Sequence, residues 1–397
     1  MRCLIALVWL VGWPSIAAGA RADMQLGMES DEALKHDTAG YLARADGAGA
    51  TWMRLTVGSS RWLTESDAYV NAAVAAQADG KRVLVTLMSW QQYPTPAAWA
   101  AFARQVVARM APYVDAWSPL NEPNHWAMAP AQTVTCRLDA SARTSTSEVR
   151  DGVRIERRWH RAPSGRWERI VEETHGKRPN VVVSFRRAAG GGWAPGPLRH
   201  ISLLRPATIR VRTEWERHRC RAQADGVEYR ELWDAVAPIL AQDADSRLVV
   251  GDLAPAPLDT VFMQAFYSRG ALDTEPEVLG IHPYDFGDPT RTYDDGSFAL
   301  GSLAPTKRFA GRWGLGLWAT EWGYHPEQPA QWWTAGLRLL SGSVGLTVIY
   351  DTPAGPGGHW DTFMRPAAYR RVAAFMGRPT GIADAPADEA VASGSMG

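Results

Sequence analysis

Apolar residues fall along the chain in short β-branched and aromatic runs, separated by longer stretches in which they recur three or four positions apart. The runs at 24–28, 51–57, 81–90 and 113–120 read as strands. Between them the helical spacing predicts helices from the cap Ser30 to 47, over 66–78, and over 96–110 behind the cap Thr95. The rhythm stops at 131 and resumes at 227. It then predicts helices at 229–241, 259–269, 302–311, 329–340 and 366–376, interleaved with strands at 247–252, 278–284, 315–321 and 344–350. Eight strands alternating with eight helices imply parallel strands joined by crossovers. With 132–226 set aside, residues 24–378 number 260, and a (β/α)₈ TIM barrel, an α/β fold, takes ~250. An open doubly wound sheet is the alternative, but no Gly-rich phosphate loop follows the first strand to support it.

The interruption has another pattern. Runs at 153–160 and 166–173 flank Ala162-Pro163-Ser164-Gly165, a hairpin signal, and runs at 180–186 and 208–215 add two strands. A small antiparallel β module inserted after strand 4 of the barrel is expected over 132–226. The barrel then comprises 23–131 and 227–378.

Charge separates the two units. The chain totals 42 Lys and Arg against 42 Asp and Glu, a balance that points to no nucleic-acid partner. Residues 132–226 hold 20 of the basic and only 10 of the acidic side chains. Such a module would shape the cleft beside the fourth strand, or grip an anionic polysaccharide.

Cysteine adds a constraint. Cys136 and Cys220 bracket the module, and in an oxidising compartment a disulfide is expected there. It would stabilise the closed loop by at most ~4–5 kcal/mol. Two unpaired thiols are the alternative. No further Cys, and no His at ligand spacing, suggests a zinc site, so neither metal nor cofactor is expected.

At the N-terminus one Arg precedes a short apolar run, and Ala20-Arg21-Ala22 fits a signal-peptidase site before Asp23. Residues 1–22 are therefore expected to be a signal peptide, giving a secreted, extracellular protein with no membrane segment after cleavage. An uncleaved anchor is the alternative. The Ala-, Asp-, Gly- and Ser-rich stretch 379–397 predicts a disordered tail.

Two acids stand out. Glu122, in Asn121-Glu122-Pro123, follows the fourth strand directly. Glu321, in Thr320-Glu321-Trp322, closes the seventh, 199 residues later. Both would open on the face formed by the strand C-termini, where barrel enzymes keep their chemistry. Two facing carboxyl groups are the apparatus of glycosidic hydrolysis, one protonated to serve the leaving oxygen and one ionised to attack.

With these motifs at the ends of the fourth and seventh strands, the barrel resembles the clan A retaining glycoside hydrolases, including families 5 and 39. The resemblance covers the barrel and not the module. It implies Glu122 as acid/base and Glu321 as nucleophile in a retaining β-glycosidase, with carbohydrate as substrate. It also matches Asn121 to the residue that bonds the sugar 2-hydroxyl, and His282 and Tyr284 to the pair beside the nucleophile, Tyr284 donating to Glu321.

Arg54, near the end of the second strand, is expected to hold Glu321 ionised, or else to pair with Asp252. Trp90, Trp126, Trp322 and Trp360 fall in strand-end loops, where an indole can stack on a pyranose face, whereas Trp117 lies within a strand. The chain departs from the clan at strand eight: many members end it with Trp, and here Tyr350-Asp351 stands, which leaves Trp360 to fill that place from the loop. A barrel that binds carbohydrate without turning it over is the competing reading.

Overall fold

The computed structural model describes residues 24–89, 93–125, 145–150, 153–161, 167–175, 178–187, 193–201, 213–243, 245–256, 258–284, 289, 297–324, 328–351 and 366–378. The expected signal peptide and tail, Cys136 and hence its pairing, and Trp90, Trp126 and Trp360 lie outside them.

Eight parallel strands close into a barrel. They are β1 (Gln25–Glu29), β2 (Trp52–Gly58), β3 (Arg82–Met88), β4 (Ala116–Ser118), β10 (Arg247–Leu253), β11 (Val278–Ile281), β12 (Gly316–Trp322) and β13 (Leu346–Tyr350). Strand β1 pairs with both β2 and β13, so no edge is left open. Helices α1 (Asp31–His36) and α2 (Thr38–Ala48) follow β1, then α3 (Ser59–Ala78) and α4 (Pro96–Met110). The second half carries α5 (Thr213–Leu240), α6 (Asp259–Tyr267), α7 (Leu303–Arg312), α8 (Ala330–Ser341) and α9 (Pro366–Phe375). Among the described residues no helix is long and apolar enough to cross a membrane.

Between β4 and α5 lies a separate antiparallel sheet of β5 (Ser145–Arg150), β6 (Val153–Arg161), β7 (Trp167–His175), β8 (Arg178–Arg187) and β9 (Trp193–Ile201), in that order. Strands β6 and β7 are the hairpin expected on either side of 162–165. Of the strand expected over 208–215, residues 208–212 lie outside the described residues, and the rest is corrected: 213–215 open α5, which runs on without a break past the expected start of the helix at 229. Ala222, inside the expected module boundary, already packs on the barrel's outer core.

Two other boundaries moved for local reasons. Asp37 breaks the first helix in two because its side chain caps α2 by accepting from Gly40 N–H. The fourth strand shrinks to three residues because Ala111–Tyr113 winds into a 3₁₀ turn first.

The core has two parts. An outer shell lies between strands and helices, and a smaller interior cluster fills the barrel: Trp52, Leu84, Ala116, Val249, Val278, Trp318, Leu346 and Val348. Within it Trp52 and Trp318 meet edge to face at 5.2 Å. These residues plug the end where strands begin, which leaves polar side chains for the other end.

Two strands break the alternation of inward and outward residues. In β10 an extra residue sits between Gly251 and Leu253, and in β12 another sits between Ala319 and Trp322, relative to their neighbours. Regular pleating would send Asp252 and Glu321 outward and Leu253 and Trp322 inward. The bulges reverse that, and Leu253 and Trp322 join the outer core.

Trp322 packs edge-on against Trp333 at 5.3 Å and against Tyr324 at 5.4 Å. It is fully buried, so its expected role as a sugar-stacking surface is corrected to a core role. Gly336 in α8 makes room for it: a Cβ there would lie 2.4 Å from Trp322 Cζ2. In an unencumbered helix Gly→Ala would gain about 1 kcal/mol. Against this rigid buried ring the overlap dominates, and Gly336→Ala should lower unfolding free energy by about 1–3 kcal/mol. Urea denaturation of the variant measures the sign directly.

Candidate active site

Above the apolar plug, at the C-terminal ends of the strands, one cation organises the site. Arg54 on β2 is fully buried; its donors meet five oxygen acceptors, and His282 Nε2 lies a further 3.5 Å from Nη2. Nε donates to Thr86 Oγ1 at 3.1 Å. Nη1 donates to Glu29 and, at 2.7 Å, to Glu321 Oε2. Nη2 donates to Asn121 Oδ1 at 2.7 Å and Asp252 Oδ2 at 3.3 Å. The two alternatives left open for Arg54 both hold, since it bonds Glu321 and Asp252 together. Burial alone would push its proton off, but Glu29, Asp252 and Glu321 outweigh that and keep it firmly cationic.

Glu321 has a donor on each oxygen. Arg54 takes Oε2, and Tyr284 Oη donates to Oε1 at 2.7 Å. Burial disfavours its charge, yet His282, Arg54 and the Tyr284 hydroxyl together hold its carboxyl below the usual carboxylate range. This is a carboxylate built to stay ionised. The Tyr284 hydroxyl is pushed well up, by burial first and by the Glu321 charge next, so it remains a donor.

Glu122 faces it under different constraints. Its Oε1 lies 2.9 Å from His282 Nδ1, and its Oε2 has no partner among the described residues. His282 Nδ1 is also 3.8 Å from Glu321 Oε2. One carboxylate oxygen of each Glu and one His282 nitrogen all lie within 4.8 Å of one another. His282 is wholly buried, which lowers its basicity, but Glu321 and the bond to Glu122 raise it above its ordinary value. Both acids thus favour the protonated form of the imidazole.

The backbone that presents Glu122 is strained. Its φ of 47° is left-handed, unusual for a non-Gly residue and doubly so before a proline. The turn is pinned from β10: Glu122 N–H donates to the Asp252 carbonyl at 2.9 Å. Asn124 Nδ2 donates to the Ala254 carbonyl and to Asp259, while its Oδ1 accepts from Ala254 N–H. Such outlying geometry persists only where surrounding bonds over-determine it, and it is frequent at functional sites.

The fold thus brings together Arg54, Asn121, Glu122, His282, Tyr284 and Glu321. It removes Trp322. Sequence reasoning missed Glu29 as a site residue, gave Asp252 only as an alternative partner of Arg54, and did not foresee the role of Asn124. Glu29 ends β1 and is buried, bonded to Arg54 and Thr56. Its signal was available, since a Glu closing an apolar strand is the feature that marked Glu321.

No family model matches the chain, and no curated protein matches it. Solved structures do. An endoglucanase Cel5A from Pseudomonas stutzeri is 10% identical with a TM-score of 0.49, covering 92% of this chain and 97% of its own. A fungal β-1,4-galactanase is 10% identical with a TM-score of 0.49, over 88% of this chain and 98% of its own. The cellulose synthase subunit Z of Clostridioides difficile is 12% identical with a TM-score of 0.46, over 89% and 99%.

Removing one donor from Glu321 should be visible without any substrate. Tyr284→Phe takes away a bond that favours the ionised form, so the Glu321 carboxyl should titrate about one pH unit higher. Carbon-13 NMR of carboxyl-labelled glutamate follows it. Glu321 and Asp252 both have depressed folded-state values. Their stabilising contribution is therefore complete above the unfolded carboxylate range and is lost as pH falls through the folded values. Acid unfolding of Tyr284→Phe should accordingly begin at higher pH than that of the parent.

Proposed function

We propose that the protein is a retaining β-glycosidase acting on a polysaccharide or glycoconjugate. One observation carries this: two carboxyl groups, 199 residues apart, approach within 4.8 Å, Glu321 with a donor on each oxygen and Glu122 bonded through one. Retaining enzymes need their pair ~5–5.5 Å apart, and inverting ones ~6.5–9.5 Å. Placement of the Asn-Glu-Pro turn after the fourth strand, and of the second Glu at the end of the seventh, supports the sequence resemblance to clan A.

In this reading Glu321 attacks the anomeric carbon as Glu122 gives its Oε2 proton to the departing glycosidic oxygen. The bond to that oxygen breaks, and a glycosyl ester of Glu321 forms. Glu122, now a carboxylate, takes a proton from water whose oxygen attacks the same carbon, releasing Glu321. His282 holds Oε1 of Glu122 throughout, which leaves Oε2 to face the leaving group. Asn121, fixed by Arg54, is placed for the sugar 2-hydroxyl. Export of the enzyme rests on the N-terminal apolar run and its cleavage motif.

Aryl β-glycosides and cell-wall polysaccharides should reveal turnover, with the β-anomer appearing first by proton NMR. Glu122→Gln should lower kcat about 10²–10⁴-fold, and Glu321→Gln at least as much. A 2-deoxy-2-fluoro glycoside should label Glu321, as mass spectrometry of the digest would show. Full activity in both Gln variants, or an α-anomer as first product, overturns the proposal.

A further inference from the structure

We propose that Asp252 is a positioning residue that couples the two carboxyl groups, holding Glu122 through its backbone and Glu321 through Arg54. The inference rests on the glycosidase reading for its kinetic meaning but not for its geometry.

Four observations place it. First, the bulge in β10 turns Asp252 into the barrel, where regular alternation would have sent it to the outer core. Second, the turn has a backbone cost, because Gly251 (φ 102°) and Asp252 (φ 49°) are both left-handed, and only the first is a glycine. Third, the opposite strand is cut away to receive the carboxylate. A Cβ on Gly280 of β11 would lie 2.4 Å from Asp252 Oδ1 and 2.8 Å from Val249 Cγ1. Fourth, the residue has two outputs. Its carbonyl accepts Glu122 N–H at 2.9 Å, and its Oδ2 accepts from Thr86 at 2.8 Å and from Arg54 Nη2 at 3.3 Å. The same Nη2 donates to Asn121 Oδ1, while the other arm of that guanidinium holds Glu321.

A carboxylate serving the fold alone would need neither output. Asp252 is wholly buried. The charged and titratable groups around it are Arg54 from β2, His282 beyond β11, Glu321 from β12 and Tyr229 from α5, which lies behind Gly251. His282 is faced in turn by Glu122, Glu321, Arg54 and Asp252. Asp252 therefore adds its negative charge to those of Glu29 and Glu321 around Arg54, in a centre that favours ionised Glu321 and protonated His282. It shares Arg54 with Glu321, so Arg54 does not neutralise the nucleophile completely. Taking the Asp252 charge away leaves Arg54 to its other partners, which strengthens its hold on Glu321 and makes it easier for His282 to lose its proton. Both effects lower the neighbouring pKa values.

Asp252→Asn keeps the shape and a carbonyl for Thr86 while removing the charge. The expected result is a His282 titration at least half a pH unit lower in nitrogen-15 NMR, which needs no substrate. On the substrate that the parent cleaves, kcat should fall about tenfold or more with KM within twofold. Both limbs of the pH–rate profile should move to lower pH. Asp252→Glu should restore the charge and part of kcat. An Asp252→Asn protein with a lowered Tm but an unmoved His282 titration and an unmoved pH profile makes Asp252 structural only, and the proposal fails. If His282 shifts as expected while neither the parent nor any variant cleaves a glycoside, the coupling stands and the glycosidase reading is what falls.

Discussion

A single guanidinium, sealed from water, sets the terms for the upper half of the barrel. Burying one cation is costly unless it is paired and its donors are used. Arg54 meets both conditions only because Glu29, Asp252 and Glu321 arrive from three other strands and Asn121 from the turn after a fourth. Each partner is in turn held by Arg54, so positions scattered over nearly 300 residues are fixed relative to one point. The apolar plug beneath supplies the dry floor against which such bonds are strong. Removing a single carboxylate would leave a buried charge partly unmatched. The barrel and the site are for this reason one thermodynamic object.

The contrast between the two catalytic candidates follows from that arrangement. Glu321 lies on the cation's side, with a donor on each oxygen, and ionises readily. Glu122 lies on the imidazole's side, with one oxygen bonded to it. Two similar carboxyl groups thus receive different hydrogen-bond surroundings from their neighbours alone.

Much of this was legible in the sequence because the barrel repeats a simple rhythm. Every barrel strand was visible as an apolar run. The glutamates were visible because charge at the end of such a run has few structural uses. What stayed hidden depended on departures from rhythm. The bulges in β10 and β12 insert single residues that no periodicity announces, and they decide the fates of Asp252 and Trp322. A Trp next to a strand-end Glu resembles a sugar platform; one extra residue makes it core. The length of α5 was hidden for another reason: its first turns lie in the Arg-rich stretch 213–221, where hydrophobic spacing is thin. Glu29 closes an apolar run as Glu321 does, and its bond to Arg54 on the neighbouring strand is what places it in the site.

The bulge in β12 also carries a consequence for how the protein can change. Flattening the bulge with every residue kept would exchange the destinations of acid and indole, driving the carboxylate among helix side chains and thrusting a bulky ring at Arg54. Deleting Thr320 as well would cancel that exchange, because Glu321 would then follow the outward Ala319 directly and again point inward. The face each side chain takes is thus set by parity along the strand, and the extra residue can be lost without moving acid or indole to the wrong side.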